Sequence, residues 1–87
     1  MTLKEFAEQC VTENDSKACY IAVMWVDDQY DLEVEINEGS IGGVYRTDVS
    51  ELAVAIKLAD ELDKELTELG WRVFSKRTTW EKFCFTH

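Results

Sequence analysis

From Tyr30 to Asn37 the chain alternates without error, Tyr30, Leu32, Val34 and Ile36 against Asp31, Glu33, Glu35 and Asn37. A period of two belongs to a strand with one face buried and the other in water, because successive side chains point to opposite sides of a sheet. The fold must therefore contain a sheet whose apolar side is covered. Its other side presents a column of carboxylates roughly 7 Å apart, two residues at about 3.3 Å each.

The flanking sequence supplies partners for this strand. Ala18 to Val26 is continuously apolar and rich in β-formers, as in a central strand covered on both faces or on one face and an edge. Asp27, Asp28 and Gln29 interrupt it. Glu38, Gly39 and Ser40 make the next turn, and Ile41 to Arg46 reads as a third strand, weakened or bulged at Gly42 and Gly43. Together these predict an antiparallel meander.

Two segments carry helical periodicity instead. Leu3, Phe6, Ala7, Cys10 and Val11 share one helical face, and Thr2 with Glu5 forms a capping box ahead of it. Leu52, Ala55, Ile56, Ala59, Leu62, Leu66 and Leu69 recur at spacings of three and four, preceded by a second capping box, Asp48 with Glu51, and ended by Gly70 at C′. Trp71 to Lys76 offers a fourth strand, and Trp80 to Thr86 reads as a fifth or as an aromatic tail packed over the sheet. The expected architecture is an α+β two-layer sandwich of one domain, residues 1–87, with an antiparallel sheet of three to five strands, two helices on one face and the order α-β-β-β-α-β(-β).

Eighty-seven residues suit one modest core. The start MTLKEFAEQC has neither a basic n-region nor an apolar h-region, and no apolar run approaches the roughly 18 residues that span a bilayer. A cytoplasmic protein is expected. Cys10, Cys19 and Cys84 are odd in number and widely spaced, which suits neither a disulfide framework nor a zinc cluster and predicts buried free thiols.

The sequence argues against catalysis. The sole histidine, His87, is the terminal residue, and no serine or cysteine lies in a nucleophile elbow. Asp27, Asp28 and Asp31 form a DDxxD cluster without the glycine and bidentate glutamate of a calcium loop, so they read as turn formers and no metal site is expected. The glycines of GSIGG lack the lysine and Ser/Thr of a phosphate loop. No cofactor is expected.

What remains is charge. The formal net charge is −9, and thirteen of the eighteen acidic residues fall between Asp27 and Glu68, opposed there only by Arg46, Lys57 and Lys64. Such a chain is repelled by phosphates and by anionic membranes, so neither nucleic acid nor membrane is an expected partner. A short basic cluster, Arg72, Lys76, Arg77 and Lys82, offsets part of this surface. The acids divide into a hairpin set, Asp27, Asp28, Asp31, Glu33, Glu35 and Glu38, and a helix set, Asp60, Glu61, Glu65 and Glu68. If the helices cover the Leu32 and Val34 side, these become two separate acidic surfaces, with Tyr30 or Tyr45 as aromatic anchors should the sheet face be open.

The α-β-β-β-α order resembles the double-stranded RNA-binding domain in topology, but Asp48, Ser50 and Glu51 stand where that family has a basic cluster, so its function does not carry over. In size, charge and the hairpin YDLEVEINE the chain resembles the small acidic inhibitors encoded by phages, of the anti-CRISPR and anti-restriction type. That resemblance implies a non-enzymatic inhibitor in the host-cell cytoplasm, acting as a nucleic-acid mimic on a basic protein surface such as that of a nuclease or CRISPR effector. The rival expectation is a self-associating structural or regulatory domain, a homodimer built on an uncovered sheet face through Trp25 and Trp80.

Overall fold

A computed structural model describes residues 1–37, 40–80 and 83–86, with side chains described over 1–36 and 40–74. Glu38, one of the expected acidic residues, lies outside the described residues, as do Lys82 and His87. The elements are α1 (Leu3–Glu13), β1 (Ala18–Val26), β2 (Gln29–Asn37), β3 (Ser40–Arg46), α2 (Leu52–Glu68), β4 (Arg72–Trp80) and β5 (Phe83–Thr86). They form an α+β two-layer sandwich in the expected order, with one five-stranded sheet arranged β3-β2-β1-β4-β5.

The sheet is mixed, which corrects the expectation of a wholly antiparallel one: β4 runs parallel to β1. The cause is chain length. The seven residues of β3 advance about 23 Å along the sheet at roughly 3.3 Å each. The 17 residues of α2 return about 25 Å at roughly 1.5 Å each. The chain is thus delivered to the end where β1 begins, and there Arg72 N–H donates to the Lys17 carbonyl at 2.8 Å.

The Thr2 capping box forms at the start of α1, with Glu5 N–H donating to Thr2 Oγ1 at 3.1 Å and Thr2 N–H to Glu5 Oε1 at 2.8 Å. The second box does not form. The N-cap of α2 is Glu51, without a side-chain cap bond, and Asp48 sits in the left-handed region at φ 59°. Residues 47–49 are occupied in holding Tyr30. Thr47 Oγ1 donates to the Tyr30 carbonyl at 2.7 Å, and Tyr30 N–H donates to the Val49 carbonyl at 2.9 Å. With its carbonyl committed to the sheet, Val49 cannot enter a helix, so the turn begins later. At the other end Gly70, at φ 94°, completes a Schellman motif: Gly70 N–H bonds the Thr67 carbonyl and Trp71 N–H the Leu66 carbonyl, both at 3.0 Å. Trp71 and Leu66 are both buried, which seats the helix end on the core.

Both helices lie on the Leu32 and Val34 side of the sheet, where the core gathers Phe6, Ile21, Leu32, Val34, Leu62 and Leu66 among others. Helix α2 packs on β1, β2 and β4, while α1 packs on α2 and β3. The close seat of α1 depends on the β3 glycines. Val34 pairs with Gly43 and Glu35 with Ile41, leaving Gly42 as the extra residue of a bulge. A Cβ on Gly43 would lie 2.9 Å from Cys10 Sγ and 3.0 Å from Phe6 Cε1. Asn14, the C-cap residue, ties the helix end to this bulge by donating from Nδ2 to the Cys10 carbonyl at 2.8 Å and to the Gly42 carbonyl at 3.4 Å.

Between β1 and β2 the turn is two residues long, Asp27 and Asp28, at φ 53° and 64°. Positive φ at both positions is the signature of a type I′ hairpin, which favours Asn-Gly. Two predictions follow from these tight places. Asp27→Asn combined with Asp28→Gly relieves left-handed strain and raises stability by about 1 kcal/mol, seen as a melting temperature about 4–8 °C higher. Gly43→Ala forces α1 off the sheet and costs about 1–3 kcal/mol, measured as a lower urea midpoint at unchanged slope; an unmoved midpoint would contradict the close packing.

Candidate functional site

The two-residue turn makes Val26 and Gln29 partners, and from there the β1–β2 register sets Met24 opposite Asp31, Ala22 opposite Glu33 and Tyr20 opposite Glu35. Directly opposed residues share a face. Because Ile21 and Val23 are buried under the helices, Tyr20, Ala22 and Met24 share the open side of the sheet with the three acids. Strand β3 adds Arg46 opposite Asp31, Val44 opposite Glu33 and Ile41 opposite Glu35.

The open face is thus a lattice of three rows, each centred on a β2 carboxylate. The first row runs Arg46, Asp31, Met24. The second runs Val44, Glu33, Ala22. The third runs Ile41, Glu35, Tyr20, and continues onto β4, where the register slips between Cys19 and Tyr20 and leaves Phe74 as an extra residue. The Tyr20 and Phe74 rings lie 5.5 Å apart, and the Arg72 guanidinium sits 4.9 Å above the Phe74 ring. Ile41 is 55% exposed, Phe74 50% and Val44 48%. The backbone register also sets Arg77 opposite Ala22.

The acids are not equivalent. Asp27 and Asp28 are exposed at the hairpin tip. Asp31 is only 4% exposed, against the expectation of a solvated carboxylate. It is held by Arg46, whose Nε lies 4.0 Å from Oδ1. The guanidinium is in turn fixed by Gln29, whose amide oxygen, turned toward it, accepts from Nε and Nη2, each at 2.8 Å. Asp31 is therefore a structural acid of the first row. Glu33 and Glu35 are half-buried in the middle of the face. Burial, reinforced by the charges of Glu35 and Asp31, pushes the Glu33 carboxyl above its usual value.

The helix set lies on the far side of the molecule. Asp60, Glu61 and Glu68 are exposed on α2 and Glu65 is half-buried. Lys4 and Lys64 line the same groove as Glu61, Glu65 and Glu68, so cations already stand among these acids. The two acidic surfaces are separate, as the strand pattern requires.

Both expected aromatic anchors are on the wrong side. Tyr30 is buried in the core, and the Tyr45 ring packs 5.4 Å from Phe6 beneath α1. Trp25 likewise stands on the helix side, edge-on to Tyr30 at 4.7 Å, while the Trp80 side chain lies outside the described residues. The aromatics of the open face are Tyr20 and Phe74, with Ile41 and Val44 as aliphatic counterparts. A register drawn from the Asp27–Asp28 turn would have found Tyr20, since a two-residue turn alone puts it opposite Glu35.

Among the described residues no three His, Cys, Asp or Glu side chains are placed to hold a metal ion. Cys10 and Cys19 are buried free thiols, which burial pushes up to about 11 and about 12, so both stay protonated and poorly nucleophilic at neutral pH. The Cys84 side chain lies outside the described residues. Among them, too, no helix is long and apolar enough to cross a membrane. No protein-family model, no curated protein and no solved structure matches the chain.

The Glu33 environment gives a pH prediction. A carboxyl raised by folding binds its proton more tightly in the folded state than in the unfolded chain. Its contribution to stability is therefore present below the usual value of 4.5 and lost as pH rises through the folded-state value. Glu33→Gln melts higher than the parent at pH 7, and the gap closes as pH falls toward 4. A gap independent of pH would refute the repulsive environment.

Proposed function

We propose that this chain is a non-enzymatic inhibitor that occupies a basic protein surface and so keeps nucleic acid from it, in the manner of the small acidic phage-encoded inhibitors. The observation carrying this reading is the open sheet face with Glu33 and Glu35 at the centre of its second and third rows. Anionic groups about 7 Å apart along one strand meet lysines and arginines arranged to hold a phosphate backbone. The chain's net charge of −9 steers association with a basic target and makes it salt-sensitive. The target class is a nuclease or an effector of the CRISPR or restriction type, met in the host-cell cytoplasm.

Self-association is the rival reading, and the exposed Ile41, Val44 and Phe74 favour it. Packing of two copies, however, brings together two molecules of net charge −9, which opposes it.

The function is tested by phage plating on hosts that carry defined restriction or CRISPR systems, with and without expression of the chain. Expression is expected to restore plating on at least one such host, and Glu33→Lys combined with Glu35→Lys to abolish the effect without loss of soluble protein. Unchanged plating on every host would overturn the reading.

A further inference from the structure

The open face combines charge with apolar surface, and that combination narrows the occupant. A nucleic-acid groove mimicked by charge alone needs carboxylates in polar surroundings. Here Glu33 and Glu35 are half-buried between exposed Val44 and Ile41 on one flank and Tyr20 with Phe74 on the other. A purely cationic surface laid on this lattice would desolvate its charges against Ile41, Val44 and Phe74 without apolar contact in return.

Dimensions narrow it further. From β3 to β4 the face spans three strand spacings, about 14 Å, and the three rows extend about 13 Å along β2. An α-helix with its side chains is about 10–12 Å wide. The three rows of described side chains therefore match the width of one helix. Lysine and arginine stems can lie along the apolar flanks while their charged ends reach the central carboxylates.

Resting on the binding reading above, we infer that the open face receives a single amphipathic helix of the partner, its lysines or arginines meeting Glu33 and Glu35 and its apolar side chains lying on Tyr20 with Phe74 and on Ile41 with Val44. The outer face of α2 does not offer this arrangement. Its acids are interspersed with Lys57 and Lys64, and its exposed apolar residues, Val54, Ile56 and Leu69, lie toward the two ends of the helix instead of along the acids. A second copy of the chain would add a further net charge of −9, which opposes its approach. The buried thiols and the hairpin-tip aspartates present nothing that recognises a ligand.

The test is titration of the whole isotope-labelled chain with a helical leucine–lysine peptide of about 18 residues, followed by amide NMR at low and high salt. A peptide with serine in place of leucine and a short DNA duplex are run alongside. The leucine–lysine peptide is expected to shift the amides of Tyr20, Ala22, Glu33, Glu35, Val44 and Phe74, while the duplex shifts none. Glu33→Lys with Glu35→Lys, and separately Ile41→Ser with Phe74→Ser, should each weaken binding about tenfold, with dispersed spectra confirming that both variants fold.

Shifts confined to Asp60, Glu61, Glu65 and Glu68 would overturn the assignment to the open face while leaving an acidic inhibitor in place. Equal binding of the serine peptide would overturn the amphipathic requirement. Dimerisation through the same amides without peptide, read by sedimentation, would replace the partner helix with a second copy. Binding as described by a chain that fails in every plating assay would refute the function and leave the docking surface standing.

Discussion

The two residues between β1 and β2 decide which side of the molecule faces inward. With Asp27 and Asp28 alone in the turn, each even-numbered β1 residue meets an odd-numbered β2 residue. Ile21 and Val23 are thereby committed to the same side as Leu32 and Val34, and Tyr20 to the same side as Glu35. A turn longer by one residue would slide β1 against β2 and mix the two sets, burying carboxylates or exposing the core. Helix seating, the three rows of the open face and the buried state of Asp31 all descend from this register.

How far the sequence discloses the fold varies with the range of the interaction. The strand period of β2, the Thr2–Glu5 cap, the Gly42–Gly43 bulge and the Gly70 stop are local patterns, and all four are read directly from neighbouring residues. The direction of β4 is not local. It depends on the length of α2 against that of β3. The failed Asp48–Glu51 cap is also a tertiary effect, since the Val49 carbonyl is taken by Tyr30 from another strand. Local propensity called for a helix start, and a sheet hydrogen bond won.

The same division runs through the candidate site. Charge alternation placed Glu33 and Glu35 correctly on an uncovered face. It could not reveal that Asp31 is buried, because that state needs Arg46 across the sheet and Gln29 two residues earlier. Nor could composition separate Tyr20 and Phe74 from the other aromatics: a continuous apolar strand hides its own parity until its partner is known. The acids of α2 and those of β2 share a sequence block yet stand on opposite sides of the sandwich. A single figure for the charge of the 27–68 segment therefore describes neither surface.

The bulge at Gly42 has a consequence for how the molecule behaves in company. Strand β3 is an outer strand, seven residues long, and it carries Ile41 and Val44 in water. An outer strand of that length and character is ordinarily a template on which stray chains add and from which fibrils grow. The extra residue breaks the regular repeat of outward amide and carbonyl groups in the middle of β3, so that an incoming strand finds matched partners over only a few residues on either side. The pair of glycines that lets α1 sit close thus also makes β3 a poor seed for aggregation.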